Sequence, residues 1–566
     1  MSIKSVVAVA VMTPVVLGAQ SVVSQPDTKL PLKHAAQPTS PAITAKDLMT
    51  RLYIFADDSM QGREAGTLGN FKGTEYIARE VRRMGLQPAG DNGTYFQTIP
   101  FKTRATDTTS TFSVAGAPLR FGSEWAAIGP PSGSGTDVPI VFGGALGDST
   151  AALSPEQTRG KILVYTFGPL SGPAFANASK VAPGALGFGL ILPPQFLEYL
   201  ARPTQFVDDS SSGPTQPTRP AFFFVPQSAA KLFDGPLGQL KPGTTGKPVS
   251  YSVRSSVDPL PYAARNVVAI LPGSDPKLKG EYVAIGAHND HVGFARIPVD
   301  HDSIRFYNHL VRPGGAEDAQ KQATAEQQSE INARLAAWRG AHSGTSRPDS
   351  ISNGADDDGS GSVSVLEIAE KLSALKLRPR RSVLFVWHVG EEKGLLGSAF
   401  FTDHPTVPRD SIDAQLNIDM VGRGDAWDQT GKTKDGTPIH GASNYLQLVG
   451  SRRLSTELGD LIDKVNRDGK HGLALDYSMD ANGHPMNIYC RSDHYEYARY
   501  GIPVTFFTTG GHSDYHQVTD EPQYIDYTHM ARVDNLIADV AVHVANLQHR
   551  VVVDHPKPNP HGVCQQ

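Results

Sequence analysis

The second half of this chain contains several almost entirely apolar runs, most of which lead directly into acidic residues or histidine. The runs are NVVAILPG, EYVAIGAHND, RSVLFVWHVG and AQLNIDMVG. Apolar segments of this kind are typical of strands that are buried on both faces of a sheet. In an open α/β sheet the side chains at the ends of such strands converge on one crevice. The runs therefore predict an α/β fold with a buried central sheet and a functional site at its edge.

Five short segments carry side chains that bind metals well: AHND, GADDDGSG, GEEKG, NIDMVG and DYHQVTD. Imidazole nitrogen and carboxylate oxygen suit zinc, and a bridging carboxylate can hold two zinc ions about 3.5–4 Å apart. Because no thiolate is among them, a catalytic zinc site is favoured over a structural one. The residues alone do not decide which carboxylate of Asp356–Asp358 binds a metal. The candidates are His288, Asp290, Asp356, Asp357, Asp358, Glu391, Glu392, Asp419 and His516.

The ordered set of segments resembles the co-catalytic dizinc exopeptidases, a family of zinc metallopeptidases that includes bacterial aminopeptidases and glutamate carboxypeptidase. The resemblance implies a mixed, mostly parallel central sheet flanked by helices, and two zinc ions per chain. Matching the family pattern position by position makes Asp357 the bridge between the two metals. The other implied ligands are His288 and Asp419 on one metal and Glu392 and His516 on the second.

The resemblance also implies roles for three residues that are not zinc ligands. Asp290, two residues after His288, orients that imidazole and tunes its basicity. Glu391 is the general base for a water that the two metals activate. Tyr489 steadies the oxyanion of the tetrahedral intermediate, and we prefer it to Tyr515 for this role.

Three further histidines lie close in sequence to the implied ligands. We interpret His291 as a loop residue and His388 as a buried strand residue with a satisfied imidazole. Both His512 and His516 are available near the end of the domain, and the family's Tyr-His pattern with a downstream Asp selects His516.

The N-terminal residues have the composition of a secretory signal. Lys4 precedes an apolar stretch over 6–17, and the small residues Gly18 and Ala19 follow. This pattern predicts a signal peptide over residues 1–19 and export to the periplasm or the extracellular medium. No later stretch of the sequence is long and apolar enough for a transmembrane helix, so stable membrane insertion is not expected.

Changes in composition divide the rest of the chain. Residues 107–257 contain short β-like runs separated by Gly, Pro and Ser, which predicts a small β-rich module inserted into the larger domain. The run GKILVYTFG resembles part of the protease-associated domain that is often inserted at this point in the family. The other predicted segments are a flexible linker at 20–40, the peptidase domain at 41–106 and 258–550, an insertion at 295–347 and a flexible tail at 551–566. We interpret the insertion as a surface helix in preference to a mobile lid.

The composition excludes one class of partner. At 566 residues the chain exceeds one ordinary domain, and its 39% apolar content is sufficient for a core. A net charge of -5 and the absence of long Lys or Arg runs argue against nucleic acid as a partner. The two cysteines, Cys490 and Cys564, do not reveal by their spacing whether they are bonded.

The residues and the resemblance together predict an exported, zinc-dependent exopeptidase that hydrolyses N-terminal residues from peptide substrates. The first alternative is a carboxypeptidase, which needs cationic groups such as Arg491 to hold a substrate carboxylate. A glutaminyl cyclase would need one catalytic zinc, and a non-catalytic receptor-like binding protein would have lost ligands that this chain retains. The residue preference and the oligomeric state are left open.

Overall fold

A computed structural model describes residues 30–128, 132–146, 153–166, 184–208, 219–342 and 344–566. The predicted signal peptide at 1–19 lies outside these residues. Among the described helices, none combines the length and the apolar character that a membrane span requires.

The largest element is a mixed sheet that contains the apolar runs. Its four central strands are parallel to one another, and the strands beside them are antiparallel. This arrangement confirms the predicted mixed α/β fold. In spatial order the strands are Gln87–Pro88, Arg265–Leu271, Ser382–His388, Tyr282–His288, Ile412–Ile418, Val504–Thr508, Tyr445–Val449 and Ala474–Asp476, and Phe96–Thr98 also pairs with Arg265–Leu271.

Helices cover both faces of this sheet. On one face, Leu52, Leu366 and Leu536 come from three different helices and belong to one buried cluster with the strands. On the other face, Phe401 and Tyr497 pack against the sheet from two shorter helices. The central strands are apolar throughout because neither of their faces meets solvent. The helices are Ala45–Phe55, Leu68–Arg83, Gly361–Ser373, Leu396–Asp403, Thr456–Asp468, His494–Ala498 and Tyr527–Ala545.

The register of the parallel strands brings their carboxyl ends to one edge. His288 lies beside His388 in the neighbouring strand, and Gly286 lies beside Asn417 on the other side. The segments that follow these strands therefore begin next to one another, although they are about 100 residues apart in sequence.

Residues 101–259 form a β-rich region with its own core, which includes Phe112, Trp125 and Phe222. The strand Phe101–Thr106 pairs with Val249–Pro259, so the region begins before the predicted boundary at 107. The identity of this region as a protease-associated domain remains a prediction. One sheet contains Trp125–Ile128, Ala221–Phe224, Gly187–Ile191, Ile162–Thr166 and Ile140–Ala145; the second contains Thr204–Val207, Phe101–Thr106, Val249–Pro259, Thr111–Val114, Ala117–Leu119 and Ser132–Val138; the helices are Pro155–Thr158, Pro194–Leu200 and Pro226–Leu232.

The insertion at 295–347 is a folded part of the peptidase domain. Ile331 is buried, and the Trp338 ring stacks on His342 with the centroids 3.8 Å apart. These contacts agree with the interpretation of a surface helix that a thin apolar stripe holds in place. Its elements are the strand pair Gly293–Asp300 and Pro348–Ser352 and the helices His301–Val311 and Ala325–Ala341.

The described part of the predicted linker makes hydrogen bonds to the peptidase domain. The Thr39 hydroxyl donates a hydrogen bond to Glu370 at 2.7 Å. The Ser40 hydroxyl donates to Asp47 at 2.8 Å. These bonds attach the segment to two helices of the peptidase domain.

The predicted tail at 551–566 is also bonded to the peptidase domain. A disulfide joins Cys490 to Cys564. The backbone N–H of Tyr489 donates to Oε1 of Gln566 at 3.0 Å, and Val551 is buried. The tail is therefore bonded to the domain along its length and covalently attached near its end.

Candidate active site

The first of two clusters of potential ligands lies at the carboxyl end of the strand Tyr282–His288. His288 Nε2 is 3.1 Å from Asp357 Oδ1 and 3.8 Å from Asp419 Oδ1. All three side chains are buried. One imidazole nitrogen and carboxylate oxygens at these separations form a group that can hold a metal ion.

The second cluster shares Asp357 with the first. His516 Nε2 lies 2.9 Å from Asp357 Oδ2 and 3.0 Å from Glu392 Oε2. His291 Nδ1 lies 2.8 Å from Glu392 Oε1 and 3.7 Å from Asp357 Oδ2. Asp357 thus presents Oδ1 to one cluster and Oδ2 to the other, which is the arrangement expected of a bridging carboxylate.

Buried hydrogen bonds hold the turn that carries Asp357. The backbone N–H groups of Asp356 and Asp357 donate to the carboxylate of Asp520 at 3.0 and 3.1 Å. The guanidinium of Arg63 donates to the carbonyl oxygens of Asn353 and Gly354 at 2.6 and 2.8 Å. Arg63, to which the sequence analysis gave no role, therefore fixes the backbone just before the bridging residue.

A buried ion pair holds the segment that carries His516. The Asp514 carboxylate lies 2.9 Å from the guanidinium of Arg423 and accepts a hydrogen bond from Thr519 at 2.7 Å. His516 itself has a φ of +55°, in the left-handed region that non-glycine residues seldom occupy. The ion pair and the hydrogen bond on either side of His516 keep the backbone in this conformation.

Asp290 connects His288 to the loop of Glu391. The backbone carbonyl of Asp290 is 3.1 Å from His288 Nδ1, whereas its nearest carboxylate oxygen is 3.8 Å away. A proton on Nδ1 leaves Nε2 free to face Asp357 and Asp419. The Asp290 carboxylate accepts hydrogen bonds from the backbone N–H of Gly390 at 2.7 Å and of Glu391 at 3.3 Å. The structure therefore gives Asp290 one contact through its backbone and two through its side chain.

The residues of the two clusters fit a pair of zinc ions. Within the described part of the chain, His288 Nε2 and Asp357 Oδ2 are buried atoms that make no hydrogen bond of good geometry, although each has a ligand atom of the other residue type within 3.1 Å. Burial lowers the pKa of His516, but Glu392 and Asp357 outweigh it and raise that pKa well above its usual range. Carboxylates gathered around imidazoles in a buried position are the donor set that zinc prefers.

Glu391 lies beside the two clusters on the wall of a cavity of about 250 Å³. Burial raises the pKa of Glu391 well above its usual range, and the charges of Glu392 and Asp419 add to this effect against that of His288. A carboxylate whose pKa is raised by burial holds a proton more readily than a solvated one, which suits a group that accepts and returns a proton. The polar end of the cavity contains Asp357, Glu391 and Asp419, and its apolar part contains Met420, Met479, Met486, Ile488 and Phe506.

The 295–347 insertion forms part of the cavity wall. Glu317 and Asp318 line the cavity, and Glu317 forms an ion pair with Arg491 on the opposite segment. The backbone N–H of Ala316 donates to the carbonyl of Tyr515 at 3.1 Å. The insertion therefore contacts the segment of His516 directly.

Comparison with known proteins bears on this site. Residues 266–541 match the family model described as Peptidase family M28. These residues belong to peptidase family M28. The matched M28 segment contains both clusters and Glu391. The assignment confirms the predicted family of zinc exopeptidases and, at the level of the family, the predicted metallopeptidase class.

Individual relatives are similar over shorter stretches. Leupeptin-inactivating enzyme 1 of Streptomyces exfoliatus is 40% identical over 77 residues, which are 13% of this chain and 18% of that protein. Aminopeptidase Y of Saccharomyces cerevisiae is 27% identical over 218 residues, which are 35% of this chain and 34% of that protein. The chain thus spans less than half the length of these curated relatives. An aminopeptidase from Aneurinibacillus sp. strain AM-1 shares the fold, with a TM-score of 0.51 over 91% of this chain and 98% of that one at 18% identity.

The two tyrosines considered for the oxyanion role, Tyr489 and Tyr515, have different surroundings in the M28 domain. The Tyr489 ring lies beneath the guanidinium of Arg453 at 4.5 Å and packs against Tyr495 in an apolar cluster. Tyr515 instead lines the cavity and stacks on His516. Of these two tyrosines, Tyr515 is therefore the one that lines the cavity. The sequence signal for Tyr515 is its position directly before His516.

His291 lies in a loop, as predicted, and its ring also belongs to the second cluster. The other two histidines agree with the sequence interpretation. His388 Nε2 lies 3.0 Å from the Tyr497 hydroxyl in the core. His512 Nε2 lies 3.1 Å from Asp356 Oδ2, outside both clusters.

Proposed function

We propose that this chain is an exported zinc-dependent exopeptidase that removes N-terminal residues from peptides. The observation that carries the proposal is the position of Asp357 between two ligand clusters, one with His288 and Asp419 and one with Glu392 and His516. The names of the relatives, which include Aminopeptidase Y, support the peptidase activity.

In this proposal the two clusters hold two zinc ions, which would supply Lewis acidity and a nucleophilic water at neutral pH. Glu391 accepts the proton of the attacking water and returns it to the leaving amine. Tyr515 donates its hydroxyl proton in a hydrogen bond to the oxyanion. Burial raises the pKa of Tyr515 well above its usual range, with Asp357 and Glu392 adding to the shift, so the hydroxyl retains this proton at neutral pH.

The charges along the cavity favour an aminopeptidase over a carboxypeptidase. Arg491, the cation that a carboxypeptidase would need, forms an ion pair with Glu317. Glu317, Asp318 and Glu391 contribute to an excess of carboxylates over cations in the lining of the cavity. The cationic side chains in the lining are Arg491 and Lys432. Asp318 lies outside the two ligand clusters and can attract a free α-ammonium group, whereas Arg491 is already paired with a carboxylate.

The disulfide supports export. Cysteine pairs persist in oxidising compartments such as the periplasm and the extracellular medium. The Cys490–Cys564 bond attaches the tail to the peptidase domain. N-terminal sequencing of the protein recovered from the periplasm or the medium, after expression of the full chain, tests this part; recovery only from the cytoplasm with Met1 retained would contradict it.

A panel of aminoacyl reporter substrates, assayed with and without a zinc chelator, tests the activity. We expect hydrolysis that the chelator abolishes and that zinc restores. A dipeptide with a free amine should be cleaved, and its N-acetylated form should not. Cleavage of the acetylated dipeptide alone would show a carboxypeptidase, and no chelator-sensitive hydrolysis of any substrate would refute the proposal.

A further inference from the structure

His291 occupies a buried position that is directed at the second cluster. Its Nδ1 lies 2.8 Å from Glu392 Oε1, within hydrogen-bond distance. The other oxygen of the same carboxylate, Oε2, lies 3.0 Å from His516 Nε2. The two oxygens of Glu392 therefore have different neighbours, one on each side of the carboxylate.

The His291 ring packs closely against its neighbours. A Cβ atom on Gly354 would lie 2.5 Å from both Cγ and Cδ2 of the ring, so the face of the imidazole rests directly on that glycine. The backbone N–H of His291 donates to the carbonyl of Arg63 at 3.1 Å. The imidazole of His516 stands nearly perpendicular to the ring, at 76°, with the centroids 5.5 Å apart. With the ring fixed in this way, Nδ1 faces Glu392.

The position of the proton follows from the partner. An ionised carboxylate only accepts hydrogen bonds, so the 2.8 Å contact requires a hydrogen on Nδ1. The remaining nitrogen, Nε2, is buried and has no hydrogen-bond partner among the described residues. Nδ1 is thus the donor, and it uses Oε1 of Glu392 while leaving Oε2 for the cluster.

We propose that His291 is a positioning residue that orients Glu392 for metal binding by donating Nδ1–H to Oε1. This inference rests on the proposed function, because it assigns Glu392 to a zinc ion. A carboxylate ligand that can rotate loses conformational entropy when it binds a metal, and a hydrogen bond to its other oxygen removes part of that cost beforehand. Loss of such an outer partner typically weakens metal binding about 10–100-fold.

The experiment measures zinc affinity of the full chain by competition with a chromophoric chelator. His291→Phe retains a flat ring against Gly354 but has no donor, and His291→Asn restores a donor near the position of Nδ1. His529→Leu is the matched control, because His529 is also buried, lies in the helix Tyr527–Ala545 and belongs to neither cluster. If His291→Phe does not fold, His291→Leu is the second variant without a donor. Circular dichroism of the metal-free proteins identifies any variant that does not fold.

We expect His291→Phe to bind two zinc ions, one of them about 10–100-fold more weakly than the wild type does. His291→Asn should recover most of this affinity, and His529→Leu should match the wild type. Two outcomes would overturn the inference. Either the folded His291→Phe binds both ions with wild-type affinity, or it loses one ion as completely as His516→Leu does, which would make His291 a direct ligand. A wild-type chain that binds no zinc would instead remove the proposed function and this inference with it.

Discussion

The ring of Tyr515 stacks on the imidazole of His516, with the centroids 4.0 Å apart and the planes inclined by 23°. The stacking joins a residue of the cavity wall to a residue of the second cluster. It also places the Tyr515 side chain, rather than that of Tyr489, beside the carboxylates where the proposed chemistry takes place.

Replacement of Tyr515 by Phe should lower kcat about 10²–10³-fold, because it removes one hydrogen-bond donor from the oxyanion, an interaction of about 2.7–4 kcal/mol. The stacking ring remains, so zinc content should not change. Tyr489→Phe is the control and should retain kcat within a few-fold of the wild type. Steady-state kinetics on one aminoacyl reporter distinguish the two. Equal losses in both variants would contradict the assignment of Tyr515.

Glu391→Gln should lower kcat about 10²–10⁴-fold, because an amide cannot accept the proton of the attacking water. The variant should retain both zinc ions, since Glu391 lies outside the two ligand clusters. Glu392→Gln is the comparison, and we expect it to lose affinity for one ion. Kinetics and elemental analysis of the same preparations provide the measurement. Near-normal turnover in a fully loaded Glu391→Gln would exclude this residue as the base.

Removal of zinc should lower the thermal stability. Without a metal, the carboxylates of Asp357, Glu392 and Asp419, which lie together around His288 and His516, repel one another and are largely taken out of water. A ligand at 100 times its dissociation constant stabilises the native state by about 2.7 kcal/mol per site. We expect chelation to lower Tm by several degrees and two equivalents of zinc to restore it. Asp357→Asn should respond much less to either treatment; an equal response in that variant would speak against a bridging role for Asp357.

Loss of the disulfide should destabilise the domain. The bond between Cys490 and Cys564 closes a loop over a sequence separation of 74 residues. Loop-closure entropy for such a length corresponds to about 4 kcal/mol, of which native strain and residual unfolded structure usually remove a part. We expect Cys490→Ser/Cys564→Ser to have a lower free energy of unfolding in urea. A reductant should have the same effect on the wild type and none on the double variant. Equal urea midpoints for the wild type and the double variant would show that the tail contributes no stability.

The pair of Asp302 and Arg347 should make stability depend on pH. Burial raises the pKa of Asp302, but His301 and Arg347 outweigh it and lower this pKa to about 2. Because the folded pKa lies below the unfolded one, the carboxylate stabilises the fold above about pH 4 and loses this contribution as the pH falls toward 2. The difference in unfolding free energy between the wild type and Asp302→Asn should be about 2 kcal/mol at neutral pH. Urea titrations at pH 7, 5, 4 and 3 measure it, and a difference that stays constant down to pH 3 would refute the paired carboxylate.

Much of the site could be predicted from individual residues and their order along the chain. His288, Asp357, Glu392, Asp419 and His516 each follow or precede an apolar strand or helix, and the structure brings them together. They converge because parallel strands in register end at one edge. The apolar pattern predicts those strands, whereas the resemblance to the dizinc exopeptidases selected these five ligands. The sheet and its two layers of helices could be predicted for the same reason, because continuous apolar strands require cover on both faces.

Only the tertiary structure decided which of several neighbouring side chains face the site. His291 and Asp290 are adjacent in the chain, and no sequence pattern shows which of them contacts Glu392. In the fold, the His291 ring packs closely against Gly354 and its Nδ1 faces Glu392. Tyr489 packs under Arg453, which lies 36 positions earlier in the chain. This contact distinguishes Tyr489 from Tyr515, which lines the cavity. The linker and the tail contain few apolar residues, so their composition indicates flexibility, whereas hydrogen bonds to Glu370 and the Cys490–Cys564 bond hold them in place. Apolar periodicity determines where the strands and helices lie, but the direction of a loop side chain depends on backbone dihedral angles and contacts that are set only when distant segments pack together.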